Sequence, residues 1–280
     1  MDQRRVEWEA DPKHAKVIME EMGIEEGSQG VRSPIQKEEK VEEGDEEELN
    51  KEEASRYRRI SARANYLAAD RPDIQFAVKE ICRGMTRPTK GHMKKLKRLA
   101  RYLKEVPRMV VMLNEVDEDK MMVVEAYSDS DWAGCKGTRK STSGGMIVMG
   151  GGLMKSWAKN QSVIALSSAE AEYYGMLKVV GEAIGFRSMA EDLGWKVRVR
   201  VWTDSSAALG IARRLGAGRV KHLQIAMLWL QERVQRGEVE ARKVKGEENP
   251  ADVGTKRKMI EEMEELLKRV DVWRRTTNIM

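Results

Sequence analysis

Two cysteines in 280 residues, Cys82 and Cys135, are too few and too far apart for a disulfide framework. No Cys-x-x-Cys pair occurs, and His14, His92 and His222 make no zinc spacing with them. Reduced thiols are the reading that follows. The N-terminus, Met1 to Glu7, has no apolar run behind its charges, so it is not a secretory signal. No stretch approaches the roughly 20 apolar residues of a membrane span. The expectation is a soluble intracellular chain, cytoplasmic or nuclear, with no membrane partner. Neither sign of charge dominates: 35% of residues are charged, for a net +5. That balance permits a polyanionic partner without demanding one.

What is present is unevenly placed. Residues 38–53 are acidic, and residues 83–108 are basic, with Glu105 the one acid among them. Asp11-Pro12 reads as N-cap and first residue of a short helix ending near Gly23. Residues 23–53 lack apolar periodicity and read as an exposed flexible linker. Residues 54–106 read as helical, broken at Arg71-Pro72-Asp73. In the last of these pieces Met93, Leu96, Ala100 and Leu103 form a stripe. Lys94, Lys95, Lys97, Arg98, Arg101 and Lys104 take the opposite face, which is either a solvated surface or one that tracks phosphates.

From residue 121 the pattern becomes α/β. Met121–Ser128, Gly144–Met149, Leu153–Ala158, Val197–Asp204 and Val239–Val244 read as five strands, the second and third joined across Gly150-Gly151-Gly152. A helix from Ser168 to Leu193 stops at Gly194. Others pass through Ala207–Ile211 and through Leu223–Val234, and Asn249-Pro250 opens a last one. The order predicts a mixed sheet covered by helices, with a hairpin extended by parallel strands.

Four carboxylates fall at the ends of these elements: Asp129, Glu172, Asp204 and Asp252. Together they would make an oxygen cage for divalent cations. Each also has an ordinary explanation. Asp129 and Asp204, at strand ends, could be helix N-caps, and Asp252 could complement a helix dipole. Glu170 competes with Glu172. Ser167-Ser168-Ala169-Glu170 matches a capping box, which gives Glu170 a structural task and leaves Glu172 without one. Glu172 shares an apolar stripe with Met176, Val179, Ala183 and Phe186, where a carboxylate needs a compensating charge.

The segments Tyr127–Gly134 (YSDSDWAG), Arg139–Gly144 (RKSTSG), Ser156-Trp157, Ala165–Tyr173 (ALSSAEAEY), Trp202–Ser205 (WTDS), Lys221-His222 and Asn249–Asp252 (NPAD) carry a resemblance. In this order they resemble the ribonuclease H domain of copia-type retrotransposon polyproteins. Upstream, Glu9–His14, Tyr57–Leu67, Arg71–Ile74 and Lys97–Lys104 resemble a reverse transcriptase tail and its connection to that domain. No Tyr-x-Asp-Asp polymerase motif occurs in the chain. The resemblance implies residues 1–53 as transcriptase tail and acidic flexible linker, 54–120 as a helical connection segment, and 121–280 as an α/β ribonuclease H-like domain. That domain is a mixed five-stranded sheet flanked by helices. It also implies the back end of such a polyprotein, or a gene derived from one.

The resemblance further implies that Asp129, Glu172, Asp204 and Asp252 are both catalytic residues and metal ligands. They would hold two Mg²⁺ ions about 4 Å apart, with Mn²⁺ as a substitute. The reaction would be hydrolysis of the RNA strand of an RNA–DNA hybrid, with a reverse transcriptase segment as a second partner. Arg139, Lys140, Ser141, Thr142, Ser205, Lys221 and His222 are candidate nucleic-acid contacts. A polar turn, a helix cap and a surface histidine are their ordinary alternatives. Trp132 and Trp157 read as core. The loop Lys245–Asn249 lacks the histidine that cellular ribonucleases H often carry there. One alternative is a non-catalytic nucleic-acid-binding remnant of a degenerate retroelement; another is a polynucleotidyl transferase of the integrase kind.

Overall fold

The structure, a computed structural model, describes residues 5–35, 44–115, 121–135, 137–216 and 225–275. The chain divides into two units. One takes Glu7–Val111, Arg257–Lys268 and the strand Val272–Arg275, and the other centres on Met112–Lys256.

The first unit is mainly helical. Strand β1 (Arg5–Glu9) precedes α1 (Pro12–Glu21), which Asp11 caps by accepting from Lys13 N at 2.8 Å. Helix α2 (Lys51–Leu67) begins with a capping box between Asn50 and Glu53. Helices α3 (Gln75–Cys82) and α4 (Lys90–Glu105) follow, then β2 (Arg108–Asn114). Helix α4 buries Leu96, Leu99, Ala100, Tyr102 and Leu103. Beneath it the Arg71 guanidinium, 2% exposed, meets Asp73 at 2.7 Å and donates to Val106 O at 2.9 Å. Tyr102 Oη also donates to Asp73 at 3.0 Å. A buried charge needs this full set of partners.

Part of the basic face of α4 is paired within the unit, while Lys95 and Lys97 remain exposed. Arg98 donates to Ser33 O at 3.1 Å, Arg101 to Gln29 O at 2.8 Å, and Lys104 to Glu25 O at 2.7 Å and Ser28 O at 2.8 Å. Lys94 pairs with Asp45 at 2.8 Å, Lys90 with Glu47, and Arg87 with Glu48. Of the expected flexible linker, residues 51–53 form the first turn of α2, and residues 25–33 and 45–48 supply these partners. A one-signed helix face attracts the nearest acidic stretch and free carbonyls. Residues 36–43 of that linker lie outside the described residues.

The second unit contains β3 (Met122–Asp131), β4 (Thr142–Met149), β5 (Gly152–Asn160), α5 (Ser168–Asp192), β6 (Val197–Thr203), α6 (Ser206–Arg213), α7 (Ile225–Gln235) and β7 (Val239–Lys243). The sheet order is β5-β4-β3-β6-β7. β3, β4 and β5 are antiparallel neighbours, while β3, β6 and β7 run parallel. This is the expected ribonuclease H-like mixed sheet, and the fold class is α/β. Val124, Ala126, Val199, Val201, Val239 and Ala241 of the sheet pack with Met176, Val179, Val180 and Ala183 of α5 and Leu209 and Ile211 of α6.

Two ends differ from the sequence reading. Asn249-Pro250 opens a 3₁₀ turn, Pro250–Gly254, rather than the final helix. Helix α8 (Ile260–Lys268) starts later and, with β8 (Val272–Arg275), belongs to the first unit. There β8 pairs antiparallel with β2, Val111 opposite Val272, in a sheet ordered β1-β2-β8. The part of the predicted helix at Leu223 lies outside the described residues. No described helix is long and apolar enough to cross a membrane.

Candidate functional site

Strand register sets the first two carboxylates. Ser128 of β3 lies level with Thr203 of β6, so the next residues, Asp129 and Asp204, emerge side by side. Asp129 is not at the end of its strand as the sequence suggested. Pairing with β4 continues from Asp129 opposite Gly144 to Asp131 opposite Thr142. Alternating burial along β3 gives out at Ser128, Asp129 and Ser130, which are all buried because structure covers both faces there.

Two glycines permit that covering. A Cβ on Gly144 would stand 2.4 Å from Ala251 O, so only glycine lets the Pro250–Gly254 turn lie on β4 and carry Asp252 in. A Cβ on Gly175 would stand 2.6 Å from Ser128 Oγ, so glycine lets α5 approach β3 with Glu172 one turn earlier. Gln161 then ties the elements together, its Nε2 donating at 2.8 Å to both Ser143 Oγ and Ala171 O. Asn249 Nδ2 donates to Ser128 O at 2.9 Å and anchors the turn to β3.

The ordinary tasks of the acidic residues are done by neighbours. Ser205, not Asp204, caps α6, accepting from Ala208 N at 3.1 Å. Asn249 caps the turn that holds Asp252, accepting from Ala251 N at 3.2 Å. Ser167 caps α5, and Glu170 accepts from Leu166 N at 2.8 Å. Glu170 is thus structural, as its place in the capping motif suggested.

One carboxylate oxygen each from Asp129, Glu172 and Asp204 lie within 4.8 Å of one another. Glu172 Oε1 accepts from Ser130 N at 3.3 Å, whereas Oε2 is buried with no hydrogen-bond partner. Burial, then the Asp129 and Asp204 charges, push the Glu172 carboxyl up to about 9. Burial also raises Asp129, to about 7, against the pull of the Lys256 ammonium and the Thr255 hydroxyl that donates to its Oδ2. Three crowded carboxylates with one orphaned oxygen are short of positive charge. An all-oxygen donor set suits a hard divalent cation, and such an ion would satisfy Glu172 Oε2. The site is compatible with a divalent metal.

Asp252 is not within the 4.8 Å group, though its charge also acts on Asp129. Its Oδ1 pairs with Lys256 Nζ, which also lies 3.8 Å from Asp129 Oδ2. Burial would lower the Lys256 ammonium, but Asp129 and the hydrogen bond with Asp252 outweigh it and raise it to about 12. Thr255 and Lys256 were not singled out from the sequence. The available signal was spacing: Lys256 is four residues past Asp252, close enough to pair with it across the end of the 3₁₀ turn.

The remaining candidates fare unequally. Ser141 and Thr142 are buried, and Ser141 Oγ accepts from Ala133 N at 3.1 Å, so both shape the turn before β4. Arg139 is exposed, with a left-handed φ of 56°, and Lys140 is half-buried. Lys221 and His222 lie outside the described residues. Trp157 is in the core as expected, in the slot over Gly145, but Trp132 is not. Its indole is 47% exposed, fixed by donation to Ala165 O at 3.0 Å. It follows the last residue of β3, where the sheet offers no further cover. In the loop before Asn249, Glu247 is exposed and Glu248 lies 3.6 Å from Arg269.

Similarity to known proteins now bears on this site. The chain is 32% identical over 203 residues to the retrovirus-related Pol polyprotein from transposon RE1 of Arabidopsis thaliana, covering 71% of this chain and 14% of that protein. It is 30% identical over 192 residues to the corresponding polyprotein from transposon TNT 1-94 of Nicotiana tabacum, covering 68% and 14%. Over about 70% of this chain's length its homologues are retrovirus-related Pol polyproteins. It spans about 14% of the length of these relatives. It is also 33% identical over 118 residues to secreted RxLR effector protein 161 of Plasmopara viticola, covering 42% of this chain and 81% of that protein. No family model matches the chain. Among solved structures, it is similar to the N-terminal RNase H domain of a Mycobacterium tuberculosis protein fused to maltose binding protein. The TM-score is 0.32 at 15% identity, over 52% of this chain and 97% of that one.

Proposed function

We propose that the chain is a Mg²⁺-dependent endonuclease that hydrolyses the RNA strand of RNA–DNA hybrids, as one segment of a retroelement polyprotein or its descendant. The observation that carries the reading is the triad: one oxygen each of Asp129, Glu172 and Asp204 within 4.8 Å of one another, with Glu172 Oε2 buried and without a hydrogen-bond partner. Asp129, Glu172 and Asp204 would hold Mg²⁺, with Mn²⁺ as its substitute, and such ions would acidify an attacking water and stabilise charge on the leaving oxygen.

The chain's own residues do the rest. Glu172 keeps a buried, unpartnered Oε2 available for a ligand, and Ser130 N donates to the other oxygen. Thr255 holds Asp129 in place. Asp252 and Lys256 bring one negative and one positive group to the rim. Trp132 offers an exposed indole face just past β3 for a base or sugar, and Arg139 offers a charge for backbone phosphate. A 2′-hydroxyl distinguishes the RNA strand from DNA at the cut. Residues 1–120, read as transcriptase tail and connection, would meet a reverse transcriptase segment.

The test is a hybrid with labelled RNA incubated with Mg²⁺. Cleavage by the wild type, its loss in Asp204→Asn and its survival in Glu170→Gln support the reading. Hybrid bound but uncut at every metal concentration supports a non-catalytic remnant instead, and strand transfer on duplex DNA supports a transferase.

A further inference from the structure

The four carboxylates do not form one equal set. Three converge on a common point, and the fourth, Asp252, is held by Lys256. Lys256 Nζ sits between Asp252 Oδ1 and Asp129 Oδ2, 3.8 Å from the latter. It therefore bridges the fourth carboxylate to the triad, which is where a second cation would stand. We propose that Lys256 is a built-in counter-cation: in the protein free of nucleic acid it takes the place of a second divalent ion at Asp252. This rests on the reading of the triad as a metal site.

Local structure makes the placement reliable. Asp252 lies in the 3₁₀ turn Pro250–Gly254, and the backbone N–H groups of Thr255 and Lys256 both donate to Asp252 O at 3.3 Å. This turn puts the lysine over the aspartate. Gly144 and Asn249 seat the turn on the sheet, so the pair has no freedom to drift from Asp129.

Charge and exposure suit the role. A lysine ammonium is a compact point charge with three donors, closer to a hard cation than a guanidinium is. The Lys256 side chain is 52% exposed, while those of Asp252 and Asp129 are 12% and 2% exposed. The half-exposed ammonium can swing into solvent without disturbing the core, whereas the carboxylates are buried. One divalent ion plus Lys256 offsets three of the four carboxylate charges, and a second divalent ion would offset all four without the lysine. When a phosphate backbone arrives, the ammonium gains another anion to face, and Asp252 is released for a cation.

The test is Mn²⁺ titration of the full chain without nucleic acid, with free Mn²⁺ followed by electron paramagnetic resonance. The wild type is expected to bind one Mn²⁺ well and a second at least about tenfold more weakly. Lys256→Met is expected to tighten the second site by about tenfold or more, and Lys256→Arg to leave the wild-type pattern in place. Adding Asp252→Asn to Lys256→Met is expected to remove the second site again. Thermal melting of each variant without metal verifies that it is folded. Two equal sites in the wild type, or an unchanged second site in folded Lys256→Met, overturn this proposal alone. No Mn²⁺ binding by any of the proteins overturns it together with the metal reading beneath it.

Discussion

The basic face of α4 and the acidic cluster of the sheet unit are both dense in one sign of charge, and the chain treats them oppositely. On α4 the cations reach carbonyls of residues 25–33 and the carboxylates of Asp45 and Glu47, at a solvent-exposed surface. In the sheet unit, Asp129, Glu172 and Asp204 share a small volume, with Lys256 as the cation facing them. In the first arrangement Arg98, Arg101, Lys104, Lys94 and Lys90 have partners, and the rest of the face is in solvent. The second lacks charge, so burial and like charges raise two of its carboxyls. Unbalanced burial, not charge density, marks a site.

The sharpest way to break this comparison is one substitution in each region. Asp129→Asn should lower hybrid cleavage more than about 100-fold, beyond the 10–100-fold typical of losing an outer partner of a ligand. Lys94→Ala should change cleavage less than about twofold. Equal losses in the two would erase the distinction. Thr255→Val tests the support of Asp129 and should cost about 10–100-fold in metal affinity, measured by Mn²⁺ titration, with folding kept.

Trp132 offers a contrast of another kind, an exposed aromatic beside the site. Stacking is worth about 1–3 kcal/mol per base, so Trp132→Ala should raise the KM for hybrid by at least about fivefold while leaving kcat nearly unchanged. A loss confined to kcat would contradict its role as a contact.

The missing charge also has a stability consequence. Glu172 has a folded-state pKa of about 9, above its ordinary value of 4.5. The folded protein therefore holds this proton more tightly than the unfolded chain does. Without metal, stability should fall as pH rises from about 4.5 to about 9 and then level off. Glu172→Gln should flatten that slope. At pH 8 it should melt higher than the metal-free wild type, by about 2–4 °C for each kcal/mol relieved. Added Mg²⁺ should stabilise the wild type but not the variant. The smallest effect belongs to α4. Asp45→Asn, which removes a surface ion pair, should cost about 0–1 kcal/mol in a denaturant melt.

Much of the sheet unit is legible in the chain. Val197, Val199 and Val201 alternate with Arg198 and Arg200, and the strand they predict is β6, with its alternating burial. Ser167 and Gly194 mark the ends of α5, and the four acidic positions stand out in the sequence. What was not legible depends on distant partners. β1, β2 and β8 are not read from the sequence, and their strand character depends on pairing across the chain, as Val111 pairs with Val272. The acidic stretch near Asp45 looks like a spacer until α4 is placed beneath it. Asp252 looks equivalent to the other three carboxylates until the 3₁₀ turn brings Lys256 over it. Gln161 carries no periodic signal, since its role is to join two strands and a helix.

The central claim is that the crowded carboxylates drive metal-dependent cutting of RNA. The direct measurement uses two hybrids, one labelled on the RNA strand and one on the DNA strand, with the full chain and a Mg²⁺ titration. The account predicts that only the RNA strand shortens, only with the divalent ion present, and leaves 3′-hydroxyl ends. Both strands remaining intact at saturating Mg²⁺, with the hybrid fully bound, would contradict it.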